Sequence, residues 1–215
     1  MYFSKVLFDC SDISIESSSG VYEIRTTPGK RVDLFCDTDT ADGPWTVIQR
    51  RTIGDVDFYR NWTDYKNGFG DLLGDFWIGN DNLHDLTTSP RILRVELEGL
   101  DGTKGYAQYS NFQVANEDQN YRLLVQGFSG NVSYDAMASH NDQSFSTYDR
   151  DNDKASGNCA SNHNGAWWYW NCFHSNLNAG FVTDEEFNER KVILWYFFPN
   201  VHGYDPTKTS MMMIR

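Results

Sequence analysis

From Ser144 to Asn178 the chain reads SFSTYDRDNDKASGNCASNHNGAWWYWNCFHSNLN, with neither the 3.6-residue period of a helix nor the two-residue period of a strand. Periodicity is already lost beyond Gly127, where Gly, Asn, Ser and Asp take over. Ordering so long a segment without secondary structure costs backbone entropy, so something other than a ladder of hydrogen bonds must tie it down. Two ties are written into the residues. Asp149, Asp151 and Asp153 stand on alternate positions ahead of a turn-rich Lys154-Ala155-Ser156-Gly157-Asn158, and Cys159 and Cys172 then enclose a Gly and four aromatics. Calcium takes about 6 to 8 hard oxygen ligands from carboxylates, carbonyls and water, so closely spaced Asp side chains followed by a carbonyl-presenting bend suit a calcium loop. An EF-hand is excluded, because its position-six Gly is Lys154 and its position-twelve Glu is Ala160. What remains is an irregular calcium site built from part of the triplet and the backbone beyond it, or a solvated acidic turn.

At 215 residues and 40% hydrophobic, the chain can bury a real core, as one large domain with sub-structure or as two small ones. No run approaches the ~18 apolar residues of a membrane helix; the most apolar stretch, Val192 to Phe198, is short and ends at Pro199. A net charge of -12 argues against nucleic acid and against insertion at acidic membranes, and is compatible with a cation site. Residues 1–5 lack the basic start and apolar middle of a secretory signal, which fits either a mature fragment with an added Met or an intracellular protein. The cysteines favour the former. Four of them fall as Cys10 with Cys36 and Cys159 with Cys172; three connectivities are open, local closure is the simplest, and an even count in turn-rich surroundings indicates an oxidising, extracellular setting. A zinc knot of Cys159, His163, Cys172 and His174 is the rival, weakened by the absence of CxxC pairs. Sequons at Asn61 and Asn131 are candidate glycosylation sites.

In chain order, Val21–Ile24 and Val32–Phe35 alternate as two short strands among turn signals, a small stapled unit over residues 1–43. Trp45–Arg50 reads as a strand, Asp57–Gly70 as an irregular helix or loop, and Asn82–Leu86 as a short helix carrying His84, read as a hydrogen-bonded core residue. Arg91–Glu98, Gly105–Tyr109, Phe112–Val114 and Tyr121–Gly127 follow as strands with short links, which implies an antiparallel sheet. Residues 210–215 have strand character and are expected to return to it.

Taken together, WTVIQRR at 45–51, DFYRNW at 57–62, GFG at 68–70, FWIGN at 76–80, FST at 145–147, the acidic triplet, GNCA at 157–160, GAWWY at 165–169 and SNLN at 175–178 resemble the fibrinogen C-terminal (fibrinogen-related) domain, most nearly its ficolin and tachylectin-type lectins. They occur in that family's order and cover nearly the whole chain. The resemblance implies an α+β fold: a disulfide-stapled N-terminal subdomain (1–43), a central antiparallel sheet with short helices (44–127, joined by 210–215) and a loop-rich calcium- and ligand-binding subdomain (128–209).

It also implies calcium as cofactor, held by Asp151 and Asp153 with the main-chain carbonyls of Ala155 and Gly157, Asp149 being a supporting residue. A cis peptide is implied at Asn171–Cys172, aiming the N–H groups of Cys172 and Phe173 at an acetyl oxygen, with His163, Phe187 and Tyr204 around the acetyl methyl. Departures are visible: Phe173 stands where many members have His, with His174 one position later; His163 stands where the lectins have an aromatic; and 179–201 lacks the usual Gly-Ile-x-Trp approach. Trp167 and Trp168 are expected in the core. The implied function is a secreted, calcium-dependent lectin of innate recognition that binds acetylated glycans, of N-acetylglucosamine or sialic acid type, on microbial or cell surfaces. Homo-oligomeric display would multiply a weak single pocket. The alternative is a protein–protein module on the same face. No Gly-x-Ser-x-Gly elbow or HExxH helix is present, and no enzyme is expected.

Overall fold

The computed structural model describes residues 7–26, 30–181, 191–200 and 203–215. Its chain order is β1 (Gly20–Thr26), β2 (Lys30–Asp37), β3 (Trp45–Arg51), α1 (Trp62–Asn67), β4 (Phe69–Gly70), β5 (Phe76–Trp77), α2 (Asn80–Leu86), β6 (Arg91–Gly99), β7 (Lys104–Val114), β8 (Leu123–Gly130), α3 (Cys159–Asn162), β9 (Ser175–Asn176), β10 (Leu194–Trp195) and β11 (Thr207–Ile214). The large sheet runs β1-β2-β3-β11-β6-β7-β8, with the short pair β4 and β5 attached to β3. All its pairings are antiparallel.

Alternation along the strands sets the buried face. Leu93, Val95 and Leu97 of β6 and Ala107 and Tyr109 of β7 are buried, and Ile24, Leu34 and Cys36 carry the same face to the edge. The disulfide Cys10–Cys36 joins the N-terminal segment to β2, with Cα atoms 5.4 Å apart, and β2 pairs directly with β3. The stapled hairpin is thus the edge of the large sheet. Strand β11 lies between β3 and β6, so Met212 is opposite both Gln49 and Val95.

Two expected strands, Gly105–Tyr109 and Phe112–Val114, are a single strand, β7. The register against β6 shifts between Arg91 and Leu93, and this bulge absorbs the interruption that made the sequence pattern look broken at Ser110-Asn111. Inside the segment read as irregular lies the one-and-a-half-turn helix α1. Its N-cap is Asn61, whose Oδ1 accepts from the Asp64 N–H at 2.8 Å.

Aromatic rings join the sheet to the loop-rich part. Phe145 and Trp168 have centroids 5.2 Å apart, Trp77 and Trp168 are 6.2 Å apart, and Trp167 and Trp168 are 5.1 Å apart; both latter tryptophans are fully buried. Residues 131–181 are therefore a layer of loops laid on the sheet, to which the chain returns as β11. Among the described residues no helix is long and apolar enough to cross a membrane.

Candidate functional site

The acidic triplet divides by role. Asp149 Oδ1 accepts from the Trp62 N–H at 2.9 Å and the Thr147 hydroxyl at 2.7 Å, which fastens the loop to the start of α1. Asp151 and Asp153 stay within the loop: Asp151 Oδ1 accepts from Asp153 N at 3.1 Å, and Asp153 accepts from Ala155 N and Cys159 N, both at 2.8 Å. Burial pushes the Asp153 carboxyl above its ordinary range, the N–H groups of Cys159 and Ala155 pull it back, and the neighbouring Asp151 carboxylate adds to the rise. Among the described residues no Lys or Arg forms an ion pair with either acid, and the carbonyls of Ala155 and Gly157 accept no hydrogen bond.

Two adjoining carboxylates without a counter-ion beside two free carbonyls form a hard-oxygen donor set, so the residues fit calcium. Among the described residues no three His, Cys, Asp or Glu side chains are placed to hold a metal ion together. Carbonyls and water would have to supply the remaining ligands. The zinc reading is overturned: Cys159 and Cys172 are a disulfide, with Cα atoms 5.6 Å apart, and no cysteine is free.

That disulfide links the acidic loop to a cavity of about 230 Å³ lined by His163, Asn171, Cys172, Phe173 and Tyr204. Three rings stand at right angles around it. His163 and Phe173 are 4.8 Å apart at 90°, and Phe173 and Tyr204 are 6.5 Å apart at 87°. The Asn171–Cys172 peptide is cis. The N–H groups of Cys172 and Phe173 donate to no acceptor among the described residues, although those of His174 and Ser175 just beyond are engaged. The cavity wall thus offers two backbone donors next to apolar ring faces. Phe187 lies outside the described residues.

Loop and cavity are coupled by short links. Asp153 holds Cys159 N, Cys159 is bonded to Cys172, and Lys154 N donates to the Trp170 carbonyl at 2.9 Å while Trp170 N donates to Cys172 O at 2.9 Å. His140 completes the frame. It is fully buried, its Nδ1 is 2.7 Å from the Trp168 carbonyl, and its Nε2 accepts from His174 N at 3.3 Å and Ser175 N at 3.2 Å. One imidazole therefore bridges the two ends of the segment that carries Asn171–Phe173, as the neutral Nδ1–H tautomer. Burial pulls it down to about 4. Behind it, Gln49 and Arg51 of β3 donate to the carbonyls of Leu177 and Ala179, at distances between 2.7 and 3.2 Å.

None of His140, Gln49 and Arg51 was identified from sequence. The partners of His140 and Arg51 are main-chain carbonyls and amides up to 128 residues away, a kind of partner that no residue type marks, and Gln49 adds the distant Asn178 side chain to its carbonyl. Of the sequons, Asn131 is exposed and its Oδ1 accepts from Tyr106 N, whereas Asn61 is half-buried at the α1 N-cap. His84, at the end of α2, hydrogen-bonds the Val114 carbonyl at 2.8 Å through Nδ1, a structural contact.

The family model described as "Fibrinogen beta and gamma chains, C-terminal globular domain" matches residues 6–215. Angiopoietin-related protein 7 of Homo sapiens is 42% identical over 196 residues, covering 88% of this chain and 57% of its own length. Ficolin-3 of Homo sapiens is 41% identical over 196 residues, covering 91% of this chain and 65% of its own length. The chain thus spans less than two thirds of these curated relatives. The fibrinogen-like globe domain of human ANGPTL6 superposes with a TM-score of 0.91 at 35% identity, over 100% of this chain and 98% of that one. A lamprey fibrin D-dimer, solved with the peptide ligand Gly-His-Arg-Pro-amide, superposes with a TM-score of 0.86 at 28% identity, over 98% of this chain and 74% of that one. With a family model matched along almost its whole length and a fold shared with the globe domains of angiopoietin-like proteins, the chain belongs to the fibrinogen C-terminal domain family.

Proposed function

We propose that this domain is a secreted, non-catalytic recognition module whose cavity takes the acetyl group of a glycan, of N-acetylglucosamine or sialic acid type. The observation that carries the reading is the pair of unengaged N–H groups at Cys172 and Phe173 beside the Phe173 ring, which stands perpendicular to those of His163 and Tyr204. An acetyl group has one strong acceptor and one small apolar end. Two fixed donors take the oxygen and the rings of His163, Phe173 and Tyr204 take the methyl, so both ends are recognised together. An amine offers neither. Asp151 and Asp153, with the carbonyls of Ala155 and Gly157, are the residues that would hold calcium. The ion would offset the charge of the two acids and so keep the loop that positions Cys159. The sugar does not need to touch it, and binding is still expected to weaken on chelation. A single shallow cavity binds weakly, so homo-oligomeric display is part of the proposal.

A second reading is favoured by the relatives. Angiopoietin-related protein 7 is as similar as ficolin-3, and the lamprey fibrin neighbour was solved with a peptide. In that reading the same face docks a protein partner. Calorimetry with N-acetylglucosamine and glucosamine separates the two. A ligand that covers these donors without pairing them costs about 1 to 3 kcal/mol, so the acetylated sugar should bind roughly ten- to a hundredfold more tightly. His163→Ala and Tyr204→Ala should each reduce that binding without moving calcium affinity. Equal binding of glucosamine, or a multivalent form that captures no acetylated glycan from an array, would leave the protein-partner reading as the better account.

A further inference from the structure

The aromatic wall does not end at Tyr204. Tyr204 stands 4.9 Å from Tyr196, and Tyr196 lies 4.1 Å from Phe197, 5.4 Å from Tyr134 and stacked at 5.2 Å on His174. Every ring of this run is partly open to solvent, whereas Trp167, Trp168 and Tyr169 nearby are fully buried. Rings needed only to fill the core have been placed in the core; these line its surface. Their polar ends converge as well. The Tyr134 hydroxyl is 3.2 Å from His174 Nδ1, and its proton is held more tightly than usual, through burial first and then through the neighbouring Tyr196, Asp135 and Tyr204.

Three main-chain donors in the middle of this run are already engaged. Tyr196 N donates to His174 O, Phe197 N to Gly203 O and Phe198 N to Trp195 O, at 2.8 to 3.0 Å. An extended peptide that docks by strand addition needs free backbone donors and acceptors, and these three donors are taken. The run offers ring faces flanked by hydroxyls. A pyranose has the matching pair of surfaces, an apolar face of C–H groups and an edge of hydroxyls.

We propose that the recognition surface continues from the cavity along Tyr204, Tyr196 and Tyr134, and that it takes the second and later units of an acetylated oligosaccharide whose terminal acetyl group fills the cavity. This rests on the glycan reading above and adds chain length to it. The test is calorimetry on the calcium-loaded domain with three probes: N-acetylglucosamine and its β-1,4-linked dimer and trimer. The trimer should bind about tenfold more tightly than the monosaccharide, the size of effect that one or two ring contacts supply. Tyr196→Ala, which does not line the cavity, should abolish that gain and leave monosaccharide affinity unchanged. Should the variant fail to fold, ring-proton resonances of Tyr134 and Tyr196 in the wild-type domain serve instead. They must shift with the trimer and stay in place with saturating monosaccharide. Equal affinity for monosaccharide and trimer, a Tyr196→Ala domain that keeps the gain, or resonances that do not respond to the trimer would overturn the extension while leaving the cavity reading intact. Failure of every acetylated probe to bind would remove both.

Discussion

The sheet and the loop layer that rests on it are held by different chemistry. In the sheet, backbone pairs with backbone in long ladders, unbroken along the seven matched positions of β1 and β2, and apolar side chains point inward. In the loop layer the backbone pairs are scattered, and side chains that bind the backbone join them. His140 holds Trp168, His174 and Ser175; Gln49 and Arg51 hold Leu177 and Ala179; Asn158 holds Thr147 and Tyr148. A ladder tolerates the loss of one rung, since its neighbours keep the register. A loop held at a few points opens wherever a point is removed, so damage should stay local and fall close to the cavity.

This contrast can be broken most forcefully from the sheet side. Met212 is fully buried on the strand between β3 and β6, and Met212→Ala is expected to cost about 4 kcal/mol. Because the loops lie on the sheet, hydrogen-exchange protection should fall in both parts together; loops that keep their protection while the sheet loses it would show that the layers are independent. Replacing Cys159 and Cys172 by Ala removes a bridge across 13 residues, with an expected cost of about 3 kcal/mol. Here exchange should quicken over 145–178 and leave β6 and β7 unchanged. Uniform loss across the sheet would contradict the local picture.

Acid provides a sharper probe. His140 is neutral in the folded state down to about 4, against an ordinary 6.5 in the unfolded chain. As pH falls, the unfolded chain gains a proton that the folded chain refuses. The His140 contribution is therefore complete above 6.5 and is lost between 6.5 and about 4, a change on the order of 3 kcal/mol. Urea melts at pH 7 and pH 4.5 should differ in the wild-type domain and differ less in His140→Gln; identical pH dependence in the two would assign the effect to other groups.

Calcium gives the smallest expected shift and the most specific one. Binding to the folded state alone stabilises by about 2.7 kcal/mol at a hundredfold excess over Kd, so Tm should rise with calcium. Asp151→Asn should abolish that rise. It should also stabilise the metal-free domain slightly, because the charge that adds to the rise at Asp153 is gone. A melting curve indifferent both to calcium and to Asp151→Asn would remove the site.

How much of this was legible in the sequence follows from the same contrast. Alternation marked β1, β2 and β6, while β3 and the returning β11 were read from their strand-forming residues. The interruption at Ser110-Asn111 divided β7 in two because a bulge has no signature of its own. At the site, the two cysteine pairs and the acidic triplet were visible because their members lie close together in the chain. Separating Asp149 from Asp151 and Asp153 by role rested on resemblance; in the structure Asp149 accepts from Trp62 N, 87 residues away, while the other two bind within the loop. His140 and Arg51 stayed hidden because a side chain that binds a carbonyl leaves no complementary residue to find.

The position of β11 has a consequence for how the molecule is assembled. Until residues 207–214 arrive, β1-β2-β3 and β6-β7-β8 are two separate ribbons, and β3 and β6 each present an open edge to solvent. Strands drawn from opposite ends of the polypeptide make the slowest kind of contact, and unpaired edges are templates for pairing with another chain. During synthesis these two edges stay exposed while the whole loop layer is made, so the nascent domain is most prone to self-association just before its last strand emerges.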